Sequence, residues 1–181
     1  MAALVGCASP LGSVDVTPNN KSRYTLVQEP PAQPPIVTAN RTDLTVTQYQ
    51  WWSDGGPVEH LVTDPSTVPL PEVKTANGKI VFSIGSDVRP YQLVLSLFNS
   101  LGPDGLPVSD TGEQIDCLSS PRCKVAASTQ KKLEFEVSGV AGGQVAMLQI
   151  GYLKLIGESG SSSKSSLTLS ASWTLRTVET R

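Results

Sequence analysis

Residues 131–179 read KKLEFEVSGVAGGQVAMLQIGYLKLIGESGSSSKSSLTLSASWTLRTVE, and this stretch decides the fold. Leu133, Phe135 and Val137 alternate with Glu134, Glu136 and Ser138. Leu167, Leu169, Ala171, Trp173 and Leu175 alternate with Thr168, Ser170, Ser172, Thr174 and Arg176. A period of two places each apolar set on one face of a strand and the polar set on the other. Between them, residues 145–156 are apolar at most positions, the mark of a more deeply buried strand. The Gly/Ser run GESGSSSKSS, residues 157–166, joins the last two strands as a flexible hairpin connection.

The pattern continues upstream. Asn77-Gly78 is a turn dipeptide, and Ile80, Phe82 and Ile84 after it share one face. Tyr91 to Phe98, YQLVLSLF, is nearly continuous in apolar residues. DLTVTQYQWW, residues 43–52, sets Leu44 and Val46 against Thr45, Thr47, Tyr49 and Trp51, and Ser53-Asp54-Gly55-Gly56 turns it towards a returning strand. Strands are therefore expected near 23–28, 43–52, 58–62, 79–84, 90–98, 131–137, 144–156 and 166–178, with a weak one near 113–118 or 124–127. No long 3.6-residue period appears, and 15 Gly, 14 Pro and only 17% charged residues suit turns and strands. The chain reads as all-β: an antiparallel β-sandwich, Ig-like or jelly-roll, of about 7–9 strands. The Ig hallmark of a cysteine pair clamping two sheets around a tryptophan is absent, so the Ig-like label describes architecture only.

At 181 residues there is room for one domain and an irregular arm. EPPAQPP, residues 29–35, holds four prolines and resists helix and interior strand alike. Residues 1–42 are read as a start segment, tether and Pro-rich arm, and residues 43–181 as the β-sandwich domain.

Charge and composition exclude some functions. The net charge is −2 and no basic stripe is present, which argues against nucleic-acid binding. No run of about 18 apolar residues is long enough for a spanning helix. There is no nucleophile elbow, phosphate-binding loop, dinucleotide fingerprint or metalloprotease motif. His60 is the only histidine and lacks a partner motif, so no enzymatic activity is expected.

Cys117 and Cys123 bracket the loop CLSSPRC. The spacing matches neither zinc nor thioredoxin-type pairs, and a structural disulfide in an oxidising compartment is the better reading. Such a short loop should bring less than about 3 kcal/mol. Asp104, Asp110, Glu113 and Asp116 cluster nearby and are candidate Ca2+ ligands, although their spacing does not fit a helix–loop–helix calcium site. Ordinary turn chemistry explains the same residues without a cofactor. Tyr49, Trp51 and Trp52, beside a turn, are a candidate ligand or partner contact; the competing reading has one or two of them plugging the end of the core.

The third cysteine follows Leu4-Val5-Gly6. Leu4-Val5-Gly6-Cys7 resembles the lipobox of bacterial lipoproteins. That resemblance implies cleavage before Cys7, a lipid on its sulfur and a place at the cell envelope, with residues 8–42 as tether. A second reading makes residues 2–5 a short edge strand and Cys7 a buried thiol.

The expectation is a non-catalytic extracytoplasmic binding or assembly module, with a protein partner or its own copies, and a membrane only through a lipid anchor. The alternatives are a structural subunit of a virion or other large assembly, and a carbohydrate-binding module using Tyr49, Trp51 and Trp52.

Overall fold

The computed structural model describes residues 29–53, 56–61, 70–103, 107–108, 112–129, 131–157 and 164–180. Every regular element among them is a strand. In chain order these are β1 (Ile36–Ala39), β2 (Thr42–Leu44), β3 (Val46–Ser53), β4 (Gly56–Leu61), β5 (Glu72–Thr75) and β6 (Lys79–Gly85). They continue with β7 (Gln92–Phe98), β8 (Glu113–Asp116), β9 (Cys123–Thr129), β10 (Lys132–Ser138), β11 (Val145–Gly157) and β12 (Lys164–Glu179).

Two sheets form the sandwich. The smaller runs β2-β1-β6-β10-β9 and the larger β4-β3-β12-β11-β7-β8, with β5 beside β12. Pairing is antiparallel except for β5, which runs parallel to β12 from Arg176↔Glu72 to Glu179↔Thr75. The β11–β12 hairpin is the spine of the larger sheet, in register from Val145↔Arg176 to Gly157↔Lys164. Inner faces follow the sequence period: Ile80, Phe82 and Ile84 oppose Val137, Phe135 and Leu133 in the smaller sheet. Leu148, Ile150 and Tyr152 oppose Trp173, Ala171 and Leu169 in the larger one. The rings of Phe82 and Phe135 stack at 5.3 Å, and Trp173, Tyr152 and both phenylalanines are almost wholly buried. A filled interior of this kind carries most of the stability of a sandwich.

The strand count departs from expectation, twelve against about seven to nine, for two reasons. β1, β2 and β5 are four, three and four residues long, too short to show a period. The weak strand expected near 113–118 or 124–127 is two strands, β8 and β9, one in each sheet. The strand expected near 23–28 lies outside the described residues.

The sandwich takes in residues 36–42: Val37 and Ala39 are fully buried and pair with Ile84 and Phe82. The chain stops being an arm there because Asn40 and Arg41 both adopt left-handed φ (45° and 69°) and close a two-residue hairpin. Arginine at the second turn position hides that hairpin from a search for Asn-Gly. Asn77-Gly78 does make the expected turn, with φ of 54° and 66°.

The expected strand over residues 43–52 breaks at Thr45, where the chain leaves the smaller sheet and enters the larger. A bulge follows: Val46 pairs Trp173, Gln48 pairs Ser172, and Thr47 is the extra residue, its hydroxyl donating to the Ser172 carbonyl at 3.0 Å. One inserted residue flips the parity of everything after it. Tyr49 and Trp51 thereby join Val46 on the inner face, opposite to the side that simple alternation assigns them.

Candidate functional site

The connection from β8 to β9 crosses from one sheet to the other, and Cys117 and Cys123 lie at its two ends. They form a disulfide with Cα atoms 5.1 Å apart. Inside the loop, Asp116 accepts from the Leu118 N–H at 3.0 Å and from the Ser119 hydroxyl at 2.7 Å. The Asp116 carbonyl takes the Ser120 N–H at 2.8 Å. These are local side-chain-to-backbone bonds of the kind that build a turn. Arg122 then spans the crossing. Its Nε donates to the Ser138 carbonyl at 2.9 Å and its Nη2 to the Gly139 carbonyl at 2.8 Å, while Nη1 pairs with the Glu113 carboxylate. Arginine suits this task because its planar fork offers several donors in fixed directions.

Of the four candidate calcium ligands, Glu113 pairs with Arg122 and Asp116 caps the loop. Asp104 and Asp110 lie outside the described residues. Among the described residues no cluster of three or more metal-ligating side chains occurs.

The aromatic candidates separate. Trp51 is 3% exposed and belongs to the core, edge-on to Tyr152 with centroids 5.8 Å apart. Its indole Nε1 donates to the Pro31 carbonyl at 2.9 Å. Tyr49 is half-buried and stacks on His60 at 5.1 Å, across the β3–β4 pair. Trp52 is half-buried on the other face of β3. The three do not form one stacking platform, because neighbouring residues of a strand point to opposite faces. Cys7 lies outside the described residues.

Sequence reasoning passed over four side chains that the fold makes important. The Asn40 amide joins the two sheets, donating from Nδ2 to Lys74 of β5 at 2.6 Å and accepting from the N–H of Val81 in β6 at 2.7 Å. Thr177, fully buried, accepts the Gln144 N–H at 2.9 Å and lies 2.7 Å from the Ala141 carbonyl, to which it can donate. Arg122 is the third. The fourth is Tyr152, whose buried hydroxyl has no hydrogen-bond partner among the described residues. Burial pushes its phenol up to about 12; Asp87 adds to the rise, and Ser86 eases it, though the Ser86 hydroxyl is already engaged with the backbone of Val88. Burial also lowers Arg89 to about 10.

The sheet edges are the remaining surface feature. β2 has three residues and β8 four, and β4 carries Pro57. β9 has seven, and residues 124–129 are all exposed, Val125 by 43%.

No helix among the described residues is long and apolar enough to cross a membrane. Comparison of the sequence with protein-family models and with curated proteins returned no match.

Proposed function

We propose that the protein is a non-catalytic binding or assembly module of an extracytoplasmic setting, acting through strand edges and loops. β9 carries the reading. An edge strand presents a row of N–H and C=O groups able to pair with another chain, and most edges are kept short or interrupted. Those of β2, β4 and β8 are. β9 is long, exposed on both faces, and moderated only by Lys124 and a bulge at Ala126. Strand addition to such an edge gives affinity through the backbone and specificity through alternate side chains. Asn40 and Arg122 tie the two sheets to each other, while Asp116 and Thr177 secure the turns beside them, so the loops and edges are carried on a fixed frame. The Cys117–Cys123 disulfide favours an oxidising compartment.

The test is light scattering of the purified chain over a range of concentration, with Val125→Lys beside it. A species well above 19.2 kDa, lost in the variant while its circular dichroism is unchanged, is expected. A chain that stays at its own mass at every concentration and binds no partner through β9 overturns the reading. Intact mass from the native source then separates two settings. A chain beginning at a diacylated Cys7 belongs to the cell envelope; an unmodified Cys7 leaves the subunit of a virion or similar assembly.

A further inference from the structure

We propose that the end of the sandwich formed by Trp51, Tyr152 and Lys154 is a recognition site for a proline-rich segment, filled within one chain by residues 29–31, and that two copies exchange this segment when the protein assembles. The inference rests on the assembly reading above and names the segment that passes between copies.

Of three consecutive residues, two make polar contacts and the one between them is buried. Glu29 pairs with Lys154 on β11, Pro30 is buried, and the Pro31 carbonyl accepts the indole N–H of Trp51 on β3. A proline run has few N–H groups and keeps its carbonyls turned outward, so a protein reads it with apolar surface and side-chain donors. Trp51 and Lys154 supply the two donors here. Tyr152, edge-on to Trp51, backs the site from the core. The segment belongs to neither sheet: it is seated by side chains and one carbonyl and contributes no strand.

The tie to the rest of the chain is short and articulated. Ala32 and Gln33 are exposed and bend the chain, and Pro34 and Pro35 lead into β1 at Ile36. Rotation at this bend would carry residues 29–31 away as a stiff unit, because proline fixes its own φ. In an exchanged pair every contact of the segment is made again with the other copy. The opposing cost is only that of association, as in domain swapping. Glu29, 72% exposed at its side chain, and Lys154 mark the contact for chemistry.

The experiment uses the full native chain. Unlabelled and 15N-labelled protein are mixed in equal amounts and held at concentrations where light scattering shows assembly. A zero-length carbodiimide then couples carboxylate to ammonium, assembled and monomeric fractions are separated, and the peptide pair joining Glu29 to Lys154 is weighed. Mixed light–heavy pairs in the assembled fraction, with same-isotope pairs in the monomer, are expected. Same-isotope pairs alone in the assembled fraction overturn the exchange and leave assembly standing. Absence of the pair from every fraction overturns the site itself. Absence of any assembled species overturns exchange and the assembly reading together. Trp51→Phe, which keeps an aromatic ring and removes the donor, should lower the yield of the pair severalfold; an unchanged yield removes Trp51 from the recognition.

Discussion

The Nδ2 of Asn40 donates to the carbonyl of Lys74 at 2.6 Å, joining the β1–β2 turn of one sheet to β5 of the other. The same amide accepts the N–H of Val81 at 2.7 Å, and Asn40 itself sits at φ 45°. Asparagine satisfies both demands, since it tolerates the left-handed region and offers a donor and an acceptor together. Asn40→Ala loses both contacts and adds backbone strain, and should cost about 2–4 kcal/mol. Asn40→Gly keeps the conformation and should recover roughly 1 kcal/mol of that. Denaturant midpoints at equal m-value test this; a glycine variant as stable as the wild type would show that the amide contributes no more than glycine gains at this φ.

Arg122 supports the β8–β9 crossing from a side that tolerates no bulk. Gly139 adopts φ 77°, and a Cβ built there would lie 2.9 Å from Arg122 Nη2. Gly139→Ala therefore imposes backbone strain and displaces the guanidinium from the Ser138 and Gly139 carbonyls. A loss of about 2–3 kcal/mol is expected. Arg122→Lys keeps the charge but cannot reach three acceptors in one plane, and should lose about 1–2 kcal/mol. If the two losses add fully in the double variant, the glycine does not act through the arginine.

These contacts mark the limit of what the sequence discloses. The long strands β6, β10 and β12 are legible because apolar residues recur at every second position, and β7 and β11 because they are apolar at most positions. The disulfide is legible because its cysteines share one loop. Asn40 and Lys74 are 34 residues apart, and nothing local records that they meet. Glu113 looks like a metal ligand beside three other acids, and only the folded loop brings Arg122 to it. Trp51 and Trp52 are adjacent and chemically alike; the bulge at Thr47 decides which of them enters the core. The Pro-rich stretch is legible as extended chain, but its seat on Trp51 is a tertiary fact.

The disulfide closes a loop with a sequence separation of 6. Constraining so few residues should stabilise the fold by about 2 kcal/mol. The Asp116 and Arg122 contacts of the crossing remain when it is cut, so the double variant Cys117→Ser, Cys123→Ser should fold at 25 °C with a lower denaturant midpoint. A variant that fails to fold would mean that the crossing depends on the bridge far more than loop entropy allows.

Tyr152 gives the fold a measurable alkaline signature. Its phenol rises from 10.0 to about 12 chiefly because burial disfavours the phenolate. The native state thus holds the proton where the unfolded chain has released it. The associated stability is fully present below pH 10 and is lost as pH climbs through 10 towards about 12. A two-unit difference corresponds to roughly 3 kcal/mol at most. Tyr152→Phe removes both this titration and a buried hydroxyl that lacks a partner among the described residues. Because the ring shape is kept, the variant should match or exceed the wild type near pH 7, by up to about 1 kcal/mol. It should also decline less steeply between pH 10 and 12. Urea midpoints of the two proteins across that range test the assignment: parallel curves would place the alkaline loss in other groups, and a marked loss at pH 7 would show that the hydroxyl has a partner in solution.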